Sequence, residues 1–251
     1  MQRVDIVTIF PEALAYLDHS ILKRARDRGV LQVVVWDLRD FTTDRHRQVD
    51  DTPYGGGAGM VMKPEPFFAA VEAIRAAAPY TTPRIILTSP QGERFTHAVA
   101  QKLAAQGHLI ILCGHYEGID ERVRRGLATD EISIGDYVLT GGELPAMVIV
   151  DAVARFISGV VGDATSVEAD SFADGLLDHP HYTRPPEFRA MKVPDVLLSG
   201  NHEAVRRWRH AQRLRRTLAR RPDLLTADTL GEEDRRVLDE VEPEREGPGS
   251  I

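Results

Sequence analysis

Cysteine is nearly absent. Cys113 is the only one in 251 residues, which excludes an intramolecular disulfide. A chain of this length buries roughly 70% or more of its unfolded surface, so it needs no disulfide or structural metal to fold. Long apolar runs are missing too. None approaches the roughly 18 residues of a membrane span, and Met1–Phe10 lacks the basic-then-apolar pattern of a secretion signal. These absences lead to the expectation of a cytoplasmic protein with no membrane segment. No Gly-Lys-Ser/Thr follows the cluster Gly55–Gly59, so it is not a Walker loop. No clear strand runs directly into it, so it is not a dinucleotide fingerprint. No Ser–His–Asp order stands out. His179-Pro180-His181 is the only close histidine pair, and without further ligands at zinc spacing it reads as structural. Internal repeats are absent.

Positive charge is also lacking overall, with a net charge of −7. Its distribution matters more than its sum. Residues 1–183 carry a net −8, residues 184–221 carry 11 basic and 3 acidic groups for +8, and residues 222–251 carry −7. A basic segment thus lies between two acidic ones, and a phosphate backbone would feel that local field.

Apolar runs of strand length recur at 4–9, 31–36, 84–88, 108–113 and 131–134. Phe10-Pro11-Glu12 opens a helix, 95–106 fills a second, and 144–158 a third. The runs at 84–88 and 108–113 have no polar alternation, as in strands buried on both faces. Strand and helix alternate, so the fold expected is α/β with a mainly parallel sheet. Cys113 ends its run and reads as a buried structural thiol. Parallel sheets bind ligands at the carboxyl ends of their strands. The loops there are Ser89–Gly92, Gly114–Gly118 and Gly135–Glu143. Their glycines would let a flat polar ligand lie on bare backbone. By itself the Gly135–Pro145 cluster is equally an irregular turn, but three glycine-bearing loops at equivalent strand ends favour a small-molecule pocket; the Gly55–Gly59 cluster reads more as a turn than a site.

The segment 160–175 changes composition and reads as a linker. The stretch 176–200 is Pro-rich and irregular. An amphipathic helix follows over 202–220, with Val205, Trp208, Ala211, Leu214 and Leu218 on its apolar face. Arg206, Arg207, Arg209, Arg213, Arg216 and Arg220 cover the rest. Arginine grips phosphate through a bidentate fork, and the alternative is a solvated helix paired with the acidic tail. A last short helix is expected over 232–241. Glu117, Arg155 and Asp170 are charged residues in or near the strand-end loops, the third helix and the linker. Each alone is an ordinary solvated charge.

Longer motifs identify a family. Asp44–Asp51 running into Pro53–Gly57, Leu87–Gly92, Gly114–Arg122 and Ser133–Pro145 all resemble the bacterial tRNA (guanine-N1)-methyltransferases of the SPOUT class, the TrmD family. So do Asp170-Ser171-Phe172, Leu176–Pro185 and Leu197–His202. The resemblance covers roughly residues 1–240. It implies a SPOUT-type parallel sheet with a deep trefoil knot, a device too rare to propose from residue patterns. It also implies a small, mostly helical C-terminal domain. The divisions would be 1–160 for the catalytic domain, 161–175 for a linker and 176–246 for a tRNA-binding domain. It further implies a homodimer acting on tRNA, a methyl transfer from S-adenosylmethionine to N1 of the guanosine 3′ of the anticodon, and a need for Mg2+ at an unknown site.

By the same resemblance Asp170 is the general base, Arg155 stabilises charge at O6, and Glu117 binds the guanine edge. Leu87, Ser89, Pro90, Gly114, Tyr116, Glu117, Ile134, Gly135, Tyr137, Leu139, Gly141, Gly142 and Pro145 would hold the cofactor. Arg206, Arg207, Arg209, Arg213 and Arg216 would hold RNA. A SPOUT enzyme acting on another RNA position is the runner-up reading, and a non-catalytic RNA-binding module is a third.

Overall fold

The computed structural model describes residues 1–162, 170–225 and 230–239. Two compact units divide between Gly162 and Asp163. The first unit runs β1 (Gln2–Thr8), α1 (Ser20–Asp27), β2 (Leu31–Asp37), β3 (Asp50–Asp51), β4 (Val61–Met62), α2 (Pro64–Ala77) and β5 (Arg84–Arg94). It continues α3 (His97–Ala104), β6 (His108–Leu112), α4 (Glu121–Gly126), β7 (Asp130–Ser133) and α5 (Glu143–Ala154). Five strands form one parallel sheet in the order β2-β1-β6-β5-β7. β3 and β4 make a separate two-residue antiparallel pair.

The unbroken apolar runs follow from this arrangement. Successive strand side chains point to opposite faces, and both faces are covered. Leu109 and Ile111 of β6 join a core with Leu22 of α1, Leu103 of α3 and Ile149 of α5. Ile110 and Leu112 join the opposite core with Phe67 and Ile74 of α2 and Val123 of α4. The α2 helix was not read from the sequence, although Phe67, Ala70, Val71 and Ile74 are buried at helical spacing behind Pro64 in its first turn.

Three boundaries differ from expectation. Pro11–Asp18 is a 3-10 segment, and extended backbone at His19 separates it from α1. β5 runs past Thr88 to Arg94 because the chain loops out over Ser89–Gly92 and returns. Thr88 and Glu93 both pair with Ile132. A Cβ on Gly92 would fall on the backbone of Glu131 and Ile132, so only glycine permits the return. α5 stops at Ala154, after which Phe156 and Ile157 close i→i+3 turns. Arg155 is therefore the cap of the helix and not part of it.

In the middle of β1 Asp5 is fully buried. It accepts from Arg3 Nε at 2.7 Å and Nη2 at 2.9 Å, and from Trp36 Nε1 at 2.7 Å. His108 Nε2 lies 2.7 Å from it. Removing one partner of a buried charged network leaves the rest uncompensated. Asp5→Ala is expected to lower stability by about 3–5 kcal/mol in urea unfolding. A loss under about 1 kcal/mol would show that the network adds only what a neutral bond does.

The second unit contains β8 (Glu187–Phe188) paired antiparallel with β9 (Met191–Lys192), then α6 (Asp195–Leu198), α7 (His202–Arg220) and α8 (Glu232–Asp239). The hairpin and α6 lie in the stretch expected to be irregular. α7 has the expected bounds, and the Asn201 side chain caps it by accepting from Ala204 N at 3.1 Å. Its buried face differs: Gln212, Leu214 and Thr217 are buried, and Leu218 is exposed. Thr217 is tolerated there because its hydroxyl donates to Arg213 O and accepts from Leu177 N. Val167-Glu168-Ala169 and the tail from Pro243 lie outside the described residues, as do positions 240 and 241 of the last expected helix.

Candidate functional site

In the first unit the Ser89–Gly92 loop-out within β5 and the loops after β6 and β7 converge. They enclose a cleft of about 260 Å3. Leu87, Ser89 and Pro90 come from the first loop, and Gly114, Tyr116 and Glu117 from the second. Ile134, Gly135, Tyr137, Leu139, Gly141 and Gly142 come from the third, with Pro145 from the first turn of α5. All thirteen positions singled out from the sequence for a cofactor lie around this one cleft.

The loops lock together through bare backbone. Gly142 N donates to Gly114 O at 2.9 Å, and His115 and Gly141 form an antiparallel bridge. The segment after β7, at the sheet edge, thus crosses back over the ends of β5 and β6 before α5 begins. A Cβ on Gly142 would sit 2.7 Å from Cys113 Cα and 2.8 Å from Gly114 N, and would also strike Thr88 Oγ1. Ser133 Oγ donates to Gly135 O at 3.0 Å and holds the turn out of β7. Tyr116 is held at φ 61°, a left-handed conformation that a non-glycine residue adopts at a cost and that clusters at ligand sites.

A buried carboxylate beneath the cleft was missed from the sequence. Glu143 accepts from Thr8 Oγ1 and lies 2.7 Å from His115 Nε2. The pair ties the β1 end, the second loop and the first turn of α5. His115 also packs edge-on to Phe10, with ring centroids 5.0 Å apart. Burial, then the nearby Glu143 charge, push the Cys113 thiol well above its ordinary value. It is an inert core residue, as the sequence suggested.

The Gly55–Gly59 cluster reaches this site as well. Glu117 N donates to Met60 O at 3.0 Å, and Met62 N donates to Gly118 O at 2.9 Å. Gly59 has φ 83°, and a Cβ there would collide with the Glu117 side chain. The expected turn is present, with Gly56 N donating to Pro53 O at 3.3 Å, and Gly59 at its end also leaves room for Glu117. Two-residue pairing of β3 with β4, too short to see in a hydropathy pattern, sets that register.

Glu117 is exposed, and so is Arg155 at the end of α5. Asp170 is half-buried in the second unit and accepts at its carbonyl from Ala173 N. On α7, Arg206, Arg207 and Arg209 are exposed, with Arg207 lying 3.4 Å from Glu203. Arg213 and Arg216 depart from the expectation of an RNA-facing row. Arg213 is 14% exposed and clasps Asp174, with Nη1 2.8 Å from Oδ2. Arg216 donates to Asp178 O at 3.2 Å. Both brace their own unit: Arg213 is paired with a carboxylate, and Arg216 is tied to a backbone carbonyl of the preceding segment. Burial raises the Asp174 carboxyl pKa, but the Arg213 bond and charge outweigh it, and the net shift is downward.

A family model described as tRNA (Guanine-1)-methyltransferase TrmD matches residues 2–227. A tRNA (guanine-N(1)-)-methyltransferase of Dehalococcoides mccartyi is 57% identical over 240 residues, covering 95% of this chain and 96% of the relative. One of Moorella thermoacetica is 57% identical over 246 residues, covering 98% of each. One of Geobacillus kaustophilus is 55% identical over 245 residues, covering 97% of this chain and all of the relative. A match across nearly the whole chain, together with the glycine-lined cleft, establishes that the protein belongs to the TrmD family of tRNA (guanine-1)-methyltransferases.

Proposed function

We propose that this protein transfers a methyl group from S-adenosylmethionine to N1 of the guanosine 3′ of the anticodon in tRNA. One observation carries the reading: the three strand-end loops join into a single cleft through backbone that no side chain could replace at Gly142. The cleft suits an adenosine-bearing sulfonium. Apolar walls come from Leu87, Ile134, Leu139 and Pro145, rings from Tyr116 and Tyr137, and bare main chain from Gly114, Gly135 and Gly141. S-adenosylmethionine supplies a methyl made electrophilic by positive sulfur.

The chain's own residues supply the rest. Guanine N1 carries a hydrogen and is a poor nucleophile, so a base must take that proton as the new bond forms. Asp170 is that base. Charge then develops towards O6, where the Arg155 guanidinium stabilises it. Glu117 accepts hydrogen bonds from the guanine edge and is kept in place by the room at Gly59. His115 and Glu143 hold the second and third loops in register beneath the cleft. Arg206, Arg207 and Arg209 form the exposed phosphate-binding set of the second unit, which acts as the helical tRNA-binding domain.

The remaining features belong to the same proposal. The crossing of Ile134–Gly142 over β5 and β6 is read as the closing pass of a trefoil knot. The exposed apolar side chains Leu144 and Val148 on α5, and Val138 in the loop before it, support a homodimer. The same reading includes a need for Mg2+ and places the reaction in the cytoplasm, where tRNA is used. No helix among the described residues is long and apolar enough to cross a membrane.

The deciding measurement is methyl transfer to an unmodified tRNA transcript and to one with the guanosine after the anticodon changed to adenosine. Methylated N1-guanosine, detected by mass spectrometry, is expected from the first and not from the second. Equal product from both would move the target to another position.

A further inference from the structure

His179 and His181 are not among the residues lining the cleft of the first unit, and the sequence left them as a structural pair. Folding adds a third group. One Asp178 carboxylate oxygen, one ring nitrogen of His179 and one of His181 all lie within 4.8 Å of each other. His181 Nε2 is 2.8 Å from Asp178 Oδ2, and His179 Nε2 is 3.8 Å from Oδ1. Ligand atoms about 2.0–2.1 Å from a tetrahedral metal lie roughly 3.3 Å apart. The two observed separations, one to each oxygen of the carboxylate, fall on either side of that value.

Three features make the group more than a chance meeting of polar side chains. His179 Nδ1 lies 3.2 Å from Pro180 O. A hydrogen bond there fixes the tautomer that leaves the Nε2 lone pair available, the outer-shell arrangement common to metal-binding histidines. The backbone carrying the ligands is pinned to α7 on both sides of Asp178: Leu177 N donates to Thr217 Oγ1, and Arg216 donates to Asp178 O. The site is also reachable. His181 is 70% exposed, while His179 and Asp178 are mostly covered, and both histidines edge a cleft that also contains Tyr182 and Trp208.

We propose that Asp178, His179 and His181 form a binding site for one divalent transition-metal ion in the second unit, with water completing its coordination. Two imidazoles and one carboxylate match Zn2+, Co2+ or Ni2+, whereas Mg2+ demands six oxygen ligands near 2.1 Å. The site is therefore distinct in chemistry from the magnesium proposed above for methyl transfer. Arg209 lines the same cleft and opposes added positive charge, so the affinity is moderate. A bound ion replaces the Asp178–His181 hydrogen bond with a link between the two imidazoles.

The test uses the full-length protein stripped of metal by a chelator. Titration with Zn2+ in excess Mg2+ is expected to give one equivalent by calorimetry. Co2+ is expected to give the intense visible absorption of a four-coordinate ion. The exposed substitution His181→Gln, which leaves folding intact, should weaken binding at least as much as loss of an outer-shell group does, about 10–100-fold. Asp178→Asn should act likewise, and imidazole NMR resonances of His179 and His181 should move together on adding Zn2+. Absence of a bound equivalent in the parent protein would overturn the proposal. So would an equivalent that binds equally well to His181→Gln.

Discussion

Asp170→Asn is expected to lower turnover by about 10²–10⁴-fold, the range that a positioned general base contributes. The amide has the shape of the carboxylate but cannot take the N1 proton at neutral pH. Binding of S-adenosylmethionine should be unchanged, because the cleft proposed to hold it is built wholly from the first unit. Measured by single-turnover methyl transfer, the defect should lie in the chemical step. It should narrow as pH rises, because hydroxide can then remove the proton that the amide cannot. A variant with parental turnover at neutral pH would take Asp170 out of the mechanism.

Gly142→Ala tests the other half of the site. The added Cβ would enter the space of Cys113 Cα and Gly114 N, which are backbone and cannot swing aside. Gly142 has φ −84° and ψ −6°, so alanine has no conformational objection to the position. The effect is therefore purely steric. Parting the second and third loops should break the Gly142 N to Gly114 O bond and move the His115–Glu143 pair. Overpacking of this kind costs about 1–3 kcal/mol in stability. A displacement near 1 Å in a positioning element costs about 10²-fold in rate. Both should appear together, the first in thermal unfolding and the second in methyl transfer. A stable variant with parental activity would mean that the loops need not touch.

The sheet and the cleft were legible in the sequence for the same reason. A parallel strand covered on both faces is apolar at every position, and His108–Leu112 shows it. Ligand loops at the ends of such strands must carry glycine where backbone meets backbone, and Gly114 and Gly142 mark the place. The α2 helix escaped because Pro64-Glu65-Pro66 breaks the reading just before its apolar spacing begins. Glu143 escaped because a glutamate in a first helical turn is ordinary, and nothing local distinguishes a buried one. The contacts of Arg213 and Arg216 with Asp174 and Asp178 could not be read, because those partners lie some forty positions earlier. Helical periodicity reports a face, not what covers it. The roles given to Asp170 and Arg155 come from the family resemblance and not from spacing.

The order β2-β1-β6-β5-β7 has a consequence for synthesis. β1 and β2 leave the ribosome first, yet one edge of β1 waits for β6, its partner from Arg3↔His108 to Val7↔Leu112. About 75 residues separate the end of β2 from the end of β6, which is roughly 4–15 s of elongation at typical rates. During that interval the nascent chain has one edge of β1 unpaired, a surface open to pairing with other chains until His108–Leu112 emerges.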